Sequence, residues 1–245
     1  MLLSPHPFRE RLLLYGQEGT GKSRAYWTIA KILRDTKAPG FVHVLDLDNS
    51  WSRMASGFPG YESNMRMYEP QGYVEMLAQG LKVKGKAGEG DWLCVDGMGE
   101  AWDGTQEAYA SRAEGKDLVS WMLESGRTND YGKSANAQNK MWREMGKLIR
   151  TFPGHVLCCS PAQQVMEKGD GSIMDPRQSR YQAVGWRPMG QNTLGYMFHT
   201  VLYLNQIGDR WIYSTVKDRE REGKVNGRMG DFVGDYLVKV GGWVV

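Results

Sequence analysis

Apolar positions along the chain gather into short runs, separated by longer stretches whose apolar residues recur at helical spacing. The runs at 12–15, 41–47, 92–95, 155–159, 200–205 and 211–216 each read as a strand. Between the first two, the stretch 24–36 carries Tyr26, Ile29, Ala30 and Leu33 on one helical face. Strands alternating with helical or loop segments predict an α/β fold, a mostly parallel sheet flanked by helices. Only Gln206-Ile207-Gly208-Asp209 separates the last two runs, so they read as a β-hairpin on the C-terminal side. No internal repeat or linker breaks the pattern, and residues 1–245 are expected to form a single domain. Two stretches are poor in buried-type residues: 103–140, and 167–191, which is rich in Gly, Pro, Arg and Gln. Each reads as a functional loop or as plain surface connection.

The turn between the first strand and first helix carries specific chemistry. Gly16-Gln17-Glu18-Gly19-Thr20-Gly21-Lys22-Ser23 fits the G-x-x-x-x-G-K-[ST] phosphate-binding loop, in the strand–loop–helix context that motif requires. Its glycines let the backbone wrap a triphosphate with N–H groups inward, and the helix N-terminus adds favourable partial charge. Gly16, Gly19, Thr20, Gly21, Lys22 and Ser23 are therefore the expected ATP contacts. Lys22 serves the β/γ-phosphates and the Ser23 hydroxyl serves Mg²⁺.

Such a loop needs a carboxylate on the metal side, and the apolar run ending in Asp96 supplies a Walker B pattern. Gly97 follows it where many ATPases carry a glutamate, and the nearest glutamate is Glu100. The segment Leu45-Asp46-Leu47-Asp48 places two acids on one side of an extended strand. Asp48 is the candidate general base for the attacking water, with Glu100 as the alternative.

At these residues the chain resembles the RecA-like ATPases. In that family the phosphate loop comes first, an acidic base ends the next strand, Walker B lies on a third and a polar sensor follows a fourth. Asp48 occupies the place of the family's glutamate, one methylene shorter. The resemblance implies Ser160 or Gln163 as sensor, and Lys217 and Arg219 as a Lys-x-Arg pair acting on a neighbouring subunit's nucleotide in a ring or filament. It also implies that the segments 97–140 and 164–191 face DNA. The second holds Lys168, Arg177, Arg180 and Arg187 interleaved with Tyr181 and Trp186. That mixture suits a single strand, although Glu167, Asp170 and Asp175 nearly cancel the charge. The compact layout is most similar to phage-encoded RecA-like ATPases of recombination and single-strand annealing. An oligomeric motor or packaging-type ATPase on duplex DNA or protein is the alternative. A small-molecule P-loop kinase fits less well, because no arginine-rich lid is recognisable.

Composition changes this picture little. The chain has 245 residues, 41% hydrophobic and 24% charged, and its net charge of +3 is too small to indicate nucleic acid alone. Cys94, Cys158 and Cys159 lie in apolar runs and read as core residues of a protein from a reducing compartment, the cytoplasm, or the host cytoplasm if phage-encoded. Four scattered histidines offer no zinc cluster, and no membrane span or signal segment is apparent. Nine tryptophans and fourteen methionines exceed what is usual; most are expected in the core, the remainder being available for base stacking or subunit contacts.

Overall fold

The structure is a computed structural model that describes residues 9–48, 51–55, 57, 60–128, 131–166, 172, 174–207, 210–219, 226–229 and 236. Its elements, in chain order, are β1 (Arg11–Gly16), α1 (Lys22–Asp35), β2 (Val42–Asp46), α2 (Trp51–Ala55), β3 (Met65–Tyr68) and α3 (Tyr73–Lys84). They continue with β4 (Trp92–Asp96), α4 (Met98–Tyr109), α5 (Leu118–Thr128), α6 (Tyr131–Thr151) and β5 (His155–Gln164). Last come β6 (Trp186–Pro188), β7 (Thr200–Ile207), β8 (Arg210–Asp218) and β9 (Asn226–Met229).

One sheet runs in the order β3-β2-β4-β5-β1-β7-β8-β9, with β6 paired to the end of β5. The strands from β3 to β7 are parallel, and β8 and β9 add antiparallel at the edge. The expected mostly parallel sheet and C-terminal hairpin are both present.

Alternation along β1 divides the core into two layers. Leu12 and Leu14 pack with Tyr26, Ile29 and Leu33 of α1, whereas Leu13 and Tyr15 share a layer with Trp142 and Met145 of α6 and with Phe152 just after it. Cys158 and Cys159 show the same period of two, one in each layer, and both are buried free thiols. All six expected strands exist, and β3, β6 and β9 are additional. The inserted β3 makes Walker B the end of the fourth strand rather than the third.

The stretch 103–140 is corrected more substantially. It is not an extended loop: α4 continues through a π-helical turn to α5 and then α6. Thr105, Ala110, Trp121 and Gln138 are buried. Sparse apolar residues sufficed because α4 and α6 each bury one stripe in the layer against the sheet, while α5 packs on the π-helical turn and α6.

Candidate nucleotide site

Gly16 ends β1, Asp46 ends β2 and Asp96 ends β4, so the carboxyl ends of three parallel strands converge on one crevice. Register pairs Asp46 directly with Asp96. The phosphate loop bridges β1 to α1, with Gly19 and Gly21 at φ 76° and 81°. Gly16 is constrained by close approach: a Cβ there would lie 2.5 Å from both Leu204 O and Thr20 Oγ1. Thr20 closes the loop from below, its hydroxyl donating to Gln17 O at 2.8 Å. The Lys22 ammonium lies across the loop and donates to Gly16 O at 2.9 Å and Gln17 O at 2.8 Å.

Beneath the loop, Ser23 lies beside the buried Asp96 carboxylate. Burial pushes the Asp96 carboxyl up to about 6; Ser23 and Lys22 oppose that shift, and the charges of Asp46 and Asp48 add to it. The structure thus brings Lys22, Ser23, Asp96 and Asp48 together. Asp48 is not on the same face of a strand as Asp46, as the spacing suggested, because β2 ends at Asp46 and Asp48 lies exposed in the turn beyond. Asp46 itself is fully buried and accepts the backbone N–H groups of Asp48 at 3.0 Å and Trp51 at 2.9 Å. It orders the turn that presents Asp48, a positioning role that sequence reading missed; the signal was an acid at the end of a strand apolar on both sides.

Gly97, where many ATPases carry a glutamate, is held by geometry. It turns the chain into α4 at φ 95°, and a Cβ there would come to 3.0 Å from Leu47 Cβ and 3.1 Å from Glu100 Oε2. A side chain at 97 is therefore excluded on two grounds. Glu100 stands exposed in the first turn of α4.

The remaining candidates divide. Ser160 is fully buried, and its hydroxyl donates to Met189 O at 2.8 Å, so it is committed inside the chain rather than presented to a phosphate. Gln163 turns its amide to Arg187, the oxygen 2.8 and 2.9 Å from the two guanidinium NH groups, across the β5–β6 pair. Tyr181, expected to stack on a base, is only 3% exposed and packs edge to face on Tyr15 at 5.9 Å. Its alternation with arginines imitated a stacking surface, but a 3₁₀ turn (Pro176–Tyr181) aims its ring inward. Trp186 is partly buried in the same layer, and its carbonyl accepts the Tyr15 hydroxyl at 3.0 Å. Arg177 is exposed and ion-paired with Asp175 at 2.8 Å. Lys168, Glu167 and Asp170 lie outside the described residues.

Lys217 and Arg219 lie at the other end of the sheet. Lys217 pairs with Val201 and Asp218 with Thr200, at the start of β7, whereas Gly16 pairs with Leu204 near its end. Arg180 belongs with them: its guanidinium sits 3.8 Å over the Tyr196 ring. Burial, together with the charges of Arg219 and Arg180, lowers the Lys217 ammonium to about 8. Lys217 donates to Gly195 O at 2.8 Å and to Phe198 O, and Arg219 is exposed. These cations cannot reach the phosphate loop of their own chain.

Among the described residues no three His, Cys, Asp or Glu side chains form a metal-holding group, and no helix is long and apolar enough to cross a membrane. No protein-family model matches the chain, and no curated protein matches it. Solved structures do. The ATPase domain of G40P aligns over 89% of this chain and 80% of its own, with a TM-score of 0.52 at 12% identity. A DnaB-like replicative helicase, solved for its interactions with primase, aligns over 90% of this chain with a TM-score of 0.50 at 13% identity. This chain spans 56% of that helicase chain. The fold is accordingly that of RecA-like ATPase domains.

Proposed function

We propose that this protein is a Mg²⁺-dependent ATPase that acts on single-stranded DNA, in recombination or strand annealing of the phage type. The observation that carries the reading is the juxtaposition of Ser23, in the first turn of α1, with the buried Asp96 that ends β4, directly under the phosphate loop. It joins a hydroxyl and a carboxylate that suit an octahedral cation completed by phosphate oxygens and water. Bound Mg²⁺ would neutralise charge on the β- and γ-phosphates.

The chain's own residues do the rest. The loop's N–H groups and Lys22 hold the phosphates, and water is oriented by Asp48, with Asp46 fixing the Asp48 backbone. Lys217 and Arg219, too distant from their own loop, serve a neighbouring copy's nucleotide in a ring or filament, and Arg180 beside them adds a third cation. The strand would run at the end of the sheet where the segment 175–193 meets α4.

ATP hydrolysis measured without DNA, with single-stranded DNA and with duplex tests this reading. Stimulation by the single strand supports it. Stimulation by duplex alone, or by neither, favours the second reading, a motor on duplex DNA or protein; the likeness to a replicative helicase fold gives that reading its footing.

A further inference from the structure

A polar cavity of about 220 Å³ opens between α4, α6 and the segment after β6. Trp102 and Gln106 line it from α4, Gln138 and Asn139 from α6, and Gln191 and Arg177 from the returning chain. Gln138 is 7% exposed, yet its amide makes no hydrogen bond with the described residues. Neither does the amide of Gln106. That amide is not sealed in the core but reaches the open cavity, where no protein group occupies it and a ligand can. Asn139 keeps a donor for the cavity as well, since its oxygen accepts from Gln191 at 3.2 Å. The Trp102 indole, edge to face with Trp142 at 5.4 Å, is half-exposed and gives the cavity a flat aromatic side.

The lining is close to neutral, because Asp175 pairs with Arg177 at 2.8 Å. A free phosphate is therefore a poor match, and a flat, neutral group with both donors and acceptors is a good one. Volume agrees: at ~30 Å³ per water, the space takes several waters or one planar heterocycle. Amides present a donor beside an acceptor, the complement of a nucleobase edge.

We propose that this cavity receives one unstacked nucleobase of the bound DNA strand, read by Gln138, Gln106 and Asn139 and stacked on Trp102. The inference rests on the single-strand reading above and adds a base subsite to it. The segment that lines the cavity is tied to β5 just before Gly190: the Met189 N–H donates to Pro161 O at 2.7 Å and its carbonyl accepts from Ser160.

The test is anisotropy titration of two labelled chains with equal numbers of phosphates, an oligothymidylate and an abasic spacer polymer. The wild type should prefer the base-bearing chain by about 10-fold or more. Gln138→Met, a substitution of similar size that removes the unpartnered amide, should cut that preference at least about threefold and leave affinity for the abasic chain unchanged. Gln106→Leu, on a half-exposed helix face, should act in the same direction and guards against a folding defect. An unchanged preference in both variants, or no preference in the wild type, overturns the base subsite alone. A wild type that binds neither chain at low salt overturns the single-strand reading and the subsite with it.

Discussion

The buried Asp46 carboxylate accepts the backbone N–H of Asp48 at 3.0 Å, so the side chain proposed to orient water is aimed by an acid two residues earlier. A second bond, from Trp51 N–H at 2.9 Å, occupies the other carboxylate oxygen. The two acids therefore do different work and should fail differently.

Asp48→Asn keeps the shape and removes the charge. Turnover should fall on the order of 10²-fold with nucleotide affinity nearly unchanged. Asp46→Ala strips two part-buried N–H groups of their acceptor, which should cost about 1 kcal/mol of stability in addition to lowering turnover. Steady-state kinetics and thermal melting of both variants check this. Full activity in Asp48→Asn, with loss in Glu100→Gln, would move the base to α4.

Lys22→Ala removes the only ammonium that the phosphate loop itself contributes. Hydrolysis should drop by about 10²–10³-fold. A wild-type rate in this variant would mean that the loop does not hold the nucleotide.

The parts of the site that were legible in sequence are those whose chemistry and backbone come from one contiguous segment. The phosphate loop is of this kind, because Gly16 to Ser23 carry both the turn and the ligands. Asp96 was legible from its apolar run, and Cys158–Cys159 from the period of two. Residues whose role depends on where a distant segment returns were not legible. Ser160 looked like a sensor until Met189 arrived to occupy its hydroxyl. Arg180 and Tyr181 are neighbours in sequence, but a 3₁₀ turn sends one to the Lys217 cluster and the other into the core. The cavity amides come from three separate elements and no local pattern announces them.

Tyr181 gives a check on that distinction. Its ring fills the layer beside Tyr15, and its hydroxyl lies against Gly195. Tyr181→Ala should destabilise the fold by about 3–5 kcal/mol, the cost of emptying a buried aromatic site. Tyr181→Phe should leave single-strand binding unchanged, as read by anisotropy. A loss of DNA affinity in Tyr181→Phe with an unaltered melting temperature would restore the stacking role.

The Arg180, Lys217 and Arg219 cluster should act between subunits. Arg219→Ala subunits bind nucleotide but lack an exposed cation for the neighbour, whereas Lys22→Ala subunits retain that cation and lack their own site. Each alone should be nearly inactive, and mixing them should restore part of the turnover at hybrid interfaces. Specific activity of the wild type should also rise with protein concentration. A concentration-independent rate together with no rescue on mixing would exclude action in trans.

Ser160 supplies the last test, of coupling between the two ends of the crevice. Its strand neighbour Pro161 pairs with Gly16 of the phosphate loop and accepts the Met189 N–H, while Ser160 donates to Met189 O. Met189 in turn packs on α4, since a Cβ at Gly99 would lie 3.3 Å from its Cγ. The segment that opens the cavity is thus fastened both to the strand beside the phosphate loop and to the helix that follows Asp96. Ser160→Ala cuts one fastening without touching a phosphate ligand. Hydrolysis without DNA should change little, whereas stimulation by single-stranded DNA should fall about 5-fold or more, the size of an ordinary coupling free energy. Melting curves separate this from a stability loss of about 1–3 kcal/mol for an unpaired buried carbonyl. Undiminished stimulation would make the Ser160–Met189 bond a packing contact only. Loss of the basal rate itself, in a variant that still melts like the wild type, would return Ser160 to the catalytic crevice.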